Sequence, residues 1–183
     1  MSRFFGATRQ IGYVVRDIER AMRFWSGTLG VGPFYVLREI ELRNFHYRGR
    51  PARAPVITVA FANSGDVQIE LIQQHNDAPS AYREFLSAGR EGMQHVSSWF
   101  SEPAEYDRAR TALLDQGLQI VQESLGDDDG SARFAYFETG TPEGHLIEVS
   151  ETLLPDIREV AEMAAAEAVN WDGSNPIRDV DRG

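Results

Sequence analysis

Two glutamates at corresponding places in two similar segments are the side chains best suited to do chemistry. Glu70 lies in VQIELIQ (67–73) and Glu148 in HLIEVSE (145–151), and both segments have the composition of β-strands. Successive side chains of a strand point to opposite faces, so each glutamate lies on the face opposite to the most apolar residues. The apolar faces are expected to lie under helices. We therefore expect both carboxylates to face one common cavity.

A histidine and a glutamine complete the candidate site. His95 begins the predicted strand HVSSWF (95–100), and Trp99 shares its face of that strand, which makes Trp99 a candidate for substrate binding. If the two halves of the chain are a duplication, Gln10 occupies in the first half the position of His95 in the second. One imidazole, two carboxylates and one carboxamide oxygen suit a single Zn, Ni, Co, Mn or Mg ion. Such a cation is a physical reason to place two mutually repelling carboxylates in one cavity.

Other polar residues have ordinary structural explanations. A glutamate in an amphipathic strand is mostly solvated, and a lone histidine is more often a surface or hydrogen-bonded core residue than a ligand. That explanation is kept for the three remaining histidines, His46, His75 and His145. His145 has the wrong parity to face the cavity with Glu148. The acidic run at 127–129 lacks the spacing of a calcium-binding loop and is interpreted as a solvated turn.

Two copies of one arrangement of elements are predicted to position these residues. Both 8–76 and 93–152 predict the order β-α-β-β-β, which makes them two βαβββ modules. In the first module the segments are a strand at 11–15, a helix at 16–30, an extended stretch at 34–48 and a hairpin of strands at 56–62 and 67–73. In the second they are strands at 95–100, 118–124, 131–139 and 145–151, with a helix at 101–117. A linker helix is predicted at 77–92 and a C-terminal helical extension at 153–183.

Composition restricts the classes of function. The 183 residues are 42% hydrophobic and 25% charged, which is typical of a globular protein. The absence of cysteine excludes disulfides, thiolate nucleophiles and cysteine metal sites. The net charge of -10 without a basic stripe argues against binding to nucleic acid or to an anionic membrane. No apolar stretch reaches about 20 residues and no signal-peptide core is present, so we expect a cytoplasmic protein with a small-molecule partner.

Four segments carry a family resemblance. They are QIGYVVRDIERAMRFWSGTLGVGPFYV (10–36), VQIELIQ (67–73), GREGMQHVSSWF (89–100) and TPEGHLIEVSE (141–151). Together they resemble the signature segments of the vicinal oxygen chelate superfamily, over about residues 8–152. The segments GVGPFY, VQIELIQ and Gly-Met-Gln-His are most similar to the glyoxalase-like branch that includes methylmalonyl-CoA epimerase.

The resemblance implies an α+β fold in which paired βαβββ modules form a cupped, open-barrel sheet around one divalent metal. It implies metal ligands from the first and last strand of each module, which are Gln10, Glu70, His95 and Glu148. Gln10 departs from the histidine more usual at the first position, and the set is similar to that of some glyoxalase I enzymes. A homodimer is also implied, since exposed sheet edges need cover.

For the isomerase branch, the resemblance implies proton transfer next to a carbonyl through a metal-stabilised enediolate. Glu148 is the first candidate base and Glu70 its partner. Methylmalonyl-CoA epimerases use a further carboxylate from the middle strand region, whereas VITVAFA (56–62) has no acid. Two alternatives stay open: a glutathione-linked lyase of the glyoxalase I kind and a metal-free small-molecule binding protein. A dioxygenase ranks last, because only one histidine has the right parity.

Overall fold

The computed structural model describes residues 2, 4–126, 133–141, 144–151 and 155–180, and the acidic run at 127–129 lies outside them. The helices are α1 (Ile18–Leu29), α2 (Ala81–Ser87), α3 (Pro103–Asp115) and α4 (Pro155–Ala168). Strands of the first half are β1 (Gln10–Val14), β2 (Phe34–Glu41), β3 (Phe45–Tyr47), β4 (Arg50–Pro51), β5 (Val56–Ser64) and β6 (Val67–Gln74). The remaining strands are β7 (Gly92–Phe100), β8 (Ile120–Ser124), β9 (Phe134–Phe137), β10 (Leu146–Glu151) and β11 (Ile177–Asp179).

These strands form one curved, unclosed sheet in the order β11-β2-β5-β6-β1-β7-β10-β9-β8-β3-β4. The order β2-β5-β6-β1 in the first half is repeated in reverse as β7-β10-β9-β8 in the second, and the halves meet at the antiparallel pair β1 and β7. In each half the first strand runs parallel to the last, β1 beside β6 and β7 beside β10. The predicted α+β class with a cupped, open sheet is confirmed.

Helices α1 and α3 cover one face of the sheet, which is here called the outer face. Asp17 caps α1 by accepting a hydrogen bond from the Arg20 backbone N–H at 2.9 Å, and Gly30 ends the helix in the left-handed conformation. Met22 of α1 packs against Ile69 and Leu71 of β6. The apolar face of β6 therefore lies under a helix, as predicted, and Glu70 points to the opposite, inner face.

The predicted extended stretch at 34–48 is two strands rather than one. The register of β2 against β5 shifts between Leu37 and Ile40, and Glu39 and Asn44 both have positive φ angles. The chain consequently leaves the first half, and β3 pairs with β8 at the far end of the second half. The short hairpin of β3 and β4 thus covers an edge that the second half would otherwise expose.

The C-terminal segment covers the inner face of the first half. Val160 and Ala164 of α4 are buried in one cluster with apolar side chains of β1, β2, β5 and β6. Trp171 lies against Gly32, where a Cβ atom would meet the indole ring at 2.9 Å. The extension at 153–183 was predicted to be helical, but it also contains β11, which pairs in parallel with β2, an otherwise unpaired edge. In the described part of the chain, no helix is long and apolar enough to cross a membrane.

Candidate active site

Strand register brings the candidate residues to the centre of the inner face. Gly12 of β1 lies opposite Glu70 on β6 and opposite His95 on β7. On β10, Glu148 lies opposite Ser97 of β7. Because β6 and β10 flank the β1 and β7 pair on its two sides, the two glutamates occupy equivalent positions in the two halves.

His95, Glu70 and Glu148 are in direct proximity. The Nε2 atom of His95 is 3.2 Å from Glu70 Oε2 and 3.6 Å from Glu148 Oε2. The three residues are buried, with exposed fractions of 0%, 9% and 6% respectively. The structure thus places two carboxylates and one imidazole around the same point, while their roles stay predictions.

A glycine makes room for the imidazole. A Cβ atom on Gly12 would lie 1.8 to 2.4 Å from three atoms of the His95 ring. No side chain fits at that separation, so the ring occupies the space that any other residue at position 12 would fill. Gly12 is therefore a requirement for the position of His95.

Gln94 fixes the orientation and the tautomer of His95. The Gln94 Nε2 amide donates a hydrogen bond to the Ala81 carbonyl at 2.9 Å, which leaves Gln94 Oε1 facing His95 Nδ1 at 3.3 Å. Since Oε1 only accepts, Nδ1 carries the ring proton and Nε2 presents its lone pair to the glutamates. Strand alternation does not predict Gln94 beside His95, because the β1 and β7 pairing is irregular at Gly12/Tyr13.

Among the described residues, neither Gln10 nor Trp99 forms a hydrogen bond or ion pair with this cluster. Gln10 Nε2 donates to Gln68 Oε1 at 2.6 Å, so its own carbonyl oxygen remains the group that could serve as a ligand. By strand alternation Trp99 shares the face of His95 four residues further along β7, which corresponds to roughly 13 Å. Among the described residues, Trp99 has no hydrogen bond or ring contact with the cluster.

Two buried tyrosines adjoin the cluster, and the sequence alone does not assign them to it. The Tyr136 hydroxyl lies 3.4 Å from His95 Nε2, and the Tyr82 hydroxyl lies 3.2 Å from that of Tyr136. Burial raises the pKa of both hydroxyls, so both stay protonated and able to donate. The available signal was register, since Tyr136 lies opposite Glu148 in the β9 and β10 pair.

Burial also changes the protonation of the acids. Burial raises the pKa of Glu70 to about 8. The pKa of Glu148 rises to about 7, chiefly through burial, and His95 opposes that rise. Burial lowers the pKa of His95, so its imidazole is neutral near pH 7. Without a bound cation, the site therefore holds protons that carboxyls in water would have lost.

A stability prediction follows for the metal-free protein. Glu70 keeps its proton up to about pH 8 when folded but loses it near its ordinary pKa of 4.5 when unfolded. Between these values the folded state binds more protons, so the free energy of unfolding falls as pH rises, by on the order of a few kcal/mol. We expect Glu70→Gln to remove the part of this fall that Glu70 contributes and to leave the smaller part due to Glu148. The measurement is urea unfolding of chelator-treated protein from pH 5 to pH 8.5.

The matched control is Glu105→Gln, which changes an exposed carboxylate on α3. It should follow the wild-type pH dependence. An identical pH dependence in wild type and Glu70→Gln would contradict the protonated state assigned to Glu70.

The donor set fits a divalent cation. Two ligand atoms bound at about 2.1 Å and separated by roughly 90° to 110° lie about 3.0 to 3.4 Å apart. The separations of His95 Nε2 from the two carboxylates are close to this range. No complete metal-binding group of three or more such side chains is formed among the described residues. The residue types and pairwise distances therefore fit, and binding requires small rotations of the glutamates.

The comparisons with known proteins agree with this architecture. Residues 9–136, well over half of the chain, match the Glyoxalase/Bleomycin resistance protein/Dioxygenase superfamily. The chain belongs to this superfamily. The resemblance predicted from the sequence is thereby confirmed. A comparison with curated proteins gave no match.

Several solved structures have a fold similar to that of this chain. The hypothetical protein BH1468 from Bacillus halodurans C-125 is 21% identical with a TM-score of 0.55, covering 80% of this chain and 94% of its own. A methylmalonyl-CoA epimerase from Mycobacterium tuberculosis is 19% identical with a TM-score of 0.53, covering 87% and 95%. A selenomethionine methylmalonyl-CoA epimerase is 19% identical with a TM-score of 0.51, covering 82% and 98%. At these identities the likeness establishes the fold.

Proposed function

We propose that this superfamily member is a metal-dependent isomerase or epimerase that moves a proton next to a carbonyl group. The observation that carries the proposal is the convergence of Glu70, His95 and Glu148 in one buried cluster. The fold shared with proteins named methylmalonyl-CoA epimerase supports the same class of reaction.

The ligands proposed for a divalent ion are His95, Glu70, Glu148 and the carbonyl oxygen of Gln10. A Zn, Ni, Co, Mn or Mg ion held there would polarise a substrate carbonyl and stabilise negative charge on its oxygen. Gln94 keeps His95 Nε2 unprotonated, which is the form that an imidazole ligand needs.

Proton transfer is assigned to the two glutamates. Glu148 accepts the proton from the carbon next to the carbonyl, and Glu70 returns a proton. Epimerisation requires removal of a proton from one side of a carbon and delivery to the other. The two carboxylates come from strands on opposite sides of the β1 and β7 pair, which supports this division of roles. Tyr136, whose hydroxyl lies 3.4 Å from His95 Nε2, is the proposed hydrogen-bond donor to the oxygen that gains charge.

Burial of the cluster serves this chemistry. His95 is fully buried, and Tyr82 and Tyr136 are 2% exposed, so bulk water is largely excluded. Exclusion of water strengthens charge interactions with the substrate and limits protonation of the intermediate by the solvent. The predicted substrate partner is a small carbonyl compound. The homodimer and the cytoplasmic location stay predictions.

The test is deuterium incorporation at the carbon next to a carbonyl, followed by NMR in deuterated water. Metal-loaded protein is incubated with a panel of 2-oxo acids, branched acyl thioesters and a glutathione hemithioacetal. We expect exchange with at least one branched carbonyl compound and its loss after chelator treatment. Conversion of the hemithioacetal alone would instead support the lyase. Binding without exchange, unaffected by chelator, would support the metal-free binding protein, and oxygen consumption would support a dioxygenase.

A further inference from the structure

A cavity of about 400 Å³ opens on the inner face beside the cluster. It lies between α2 and the connection from β9 to β10, and Gln94, Val121 and Leu146 contribute to its wall. Val121 and Leu146 also belong to the apolar cluster of the inner face, so the wall of this cavity is continuous with the core around the site.

Two wall residues connect the cavity to the candidate active site. Gln94 contacts His95 through its side-chain oxygen at 3.3 Å. Leu146 lies opposite His95 in the β7 and β10 pair, and it shares its face with Glu148 two residues further along β10. Two residues of a strand span about 6.6 Å, so Leu146 in the cavity wall lies roughly 7 Å along β10 from Glu148, the proposed base.

The other half of the inner face is already occupied. Val160 and Ala164 of α4 pack there against β5 and β2. A larger cavity, of about 680 Å³, is lined by residues such as Asp17 and Ile18 at the start of α1 and by no described residue of β7 or β10. The cavity beside Leu146 is therefore the candidate space for the remaining part of a substrate that reaches Glu148.

Arg90 is the uncommitted cation of this cavity. Glu84 and Glu138, the carboxylates of the wall, are both bound by Arg48 at 2.8 and 2.9 Å. The Arg90 guanidinium lies 4.5 Å from the centre of the Phe85 ring. Among the described residues it has no ion pair or side-chain hydrogen bond. Its planar set of N–H donors matches a carboxylate in two-point geometry.

We infer that this cavity is the subsite for a distal carboxylate of the substrate, and that Arg90 recognises it. The inference rests on the proposed function, because it places the reacting carbon at Glu148. The substrate class is therefore a carbonyl compound with a second, anionic end remote from the reacting carbon.

The test uses a series of 2-oxo diacids of increasing length, from 2-oxoglutarate to 2-oxosuberate, and 2-oxo monoacids of equal length. Affinity is measured by calorimetry on metal-loaded protein. We expect wild type to prefer the longer diacids over the matched monoacids by about tenfold or more, as a charge-assisted pair provides. Arg90→Gln should abolish that preference and leave monoacid binding unchanged. Arg83→Gln, which changes an exposed arginine of α2 outside the cavity, is the control.

The outcomes separate the subsite from the reaction. An Arg90-dependent preference for diacids without deuterium exchange would support the subsite and contradict the proposed function. Equal affinity for diacids and monoacids, a preference that survives in Arg90→Gln, or no binding of any diacid would overturn the subsite. Deuterium exchange at equal rates with diacids and monoacids would also overturn the subsite, but it would leave the proposed function in place.

Discussion

Glu148→Gln is expected to lower kcat for deuterium exchange by roughly 10²- to 10⁴-fold, the range that a positioned general base contributes. Glutamine keeps the size of the side chain but cannot accept the proton. The amide is uncharged, and it replaces a buried acid whose pKa burial raises to about 7. The fold should therefore be retained. Exchange rates by NMR and a circular dichroism spectrum measure the two effects on the same preparation.

His145→Ala is the matched control for this substitution. His145 lies three residues before Glu148, directly before β10, and is exposed. Its replacement should leave metal content and exchange within about twofold of wild type. Full exchange in Glu148→Gln, or a comparable loss in His145→Ala, would show that the assignment of the base is wrong.

Gly12→Ala is expected to disable the site although it replaces none of the polar side chains. The new methyl group would lie 1.8 to 2.4 Å from atoms of the His95 ring, so the imidazole must leave its position. Overpacking of this kind typically costs about 1 to 3 kcal/mol of unfolding free energy. Displacement of the ring also removes a proposed ligand, so deuterium exchange should fall below detection. Urea unfolding and the exchange assay measure the two losses.

Gly27→Ala is the control for the added methyl group. Gly27 is exposed on α1, and a Cβ atom there meets nothing within 4 Å. Alanine in a helix is more stable than glycine by about 0.5 to 1 kcal/mol, so this variant should be slightly stabilised and fully active. Wild-type exchange in Gly12→Ala would contradict the geometry of the cluster.

The cluster was predictable because strand parity is a strong constraint. Glu70 and Glu148 each interrupt the apolar pattern of a strand whose other face lies under a helix, so their shared direction followed from a period of two. The internal repeat supplied the equivalence of the two halves. Strand parity and the internal repeat can both be read from the order of the residues, without knowing which strands are neighbours.

Strand alternation alone does not predict the other residues of the site. Gln94 joins His95 on the inner face through a local break in the β1 and β7 pairing. Gln10 was expected to be part of the cluster, whereas its amide is held by Gln68. Tyr136 was indistinguishable from a core aromatic residue, since its closeness to His95 arises from the pairing of β9 with β10.

Long-range strand pairing accounts for the differences in the fold. The crossing of β3 to β8 requires the positive φ angle of Asn44 and a partner about 80 residues away along the chain. The pairing of β11 with β2 joins the chain end to an early edge strand. Such contacts follow from which edges remain open once the sheet has formed, and local composition does not encode them.

The central claim is that one buried cluster binds one divalent ion through His95. Calorimetric titration of chelator-treated protein with Zn, Ni, Co, Mn and Mg salts tests it most directly. We expect about one equivalent per chain for at least one of these ions in wild type, and no binding in His95→Ala. Absence of binding by wild type, or unchanged binding by His95→Ala, would contradict it.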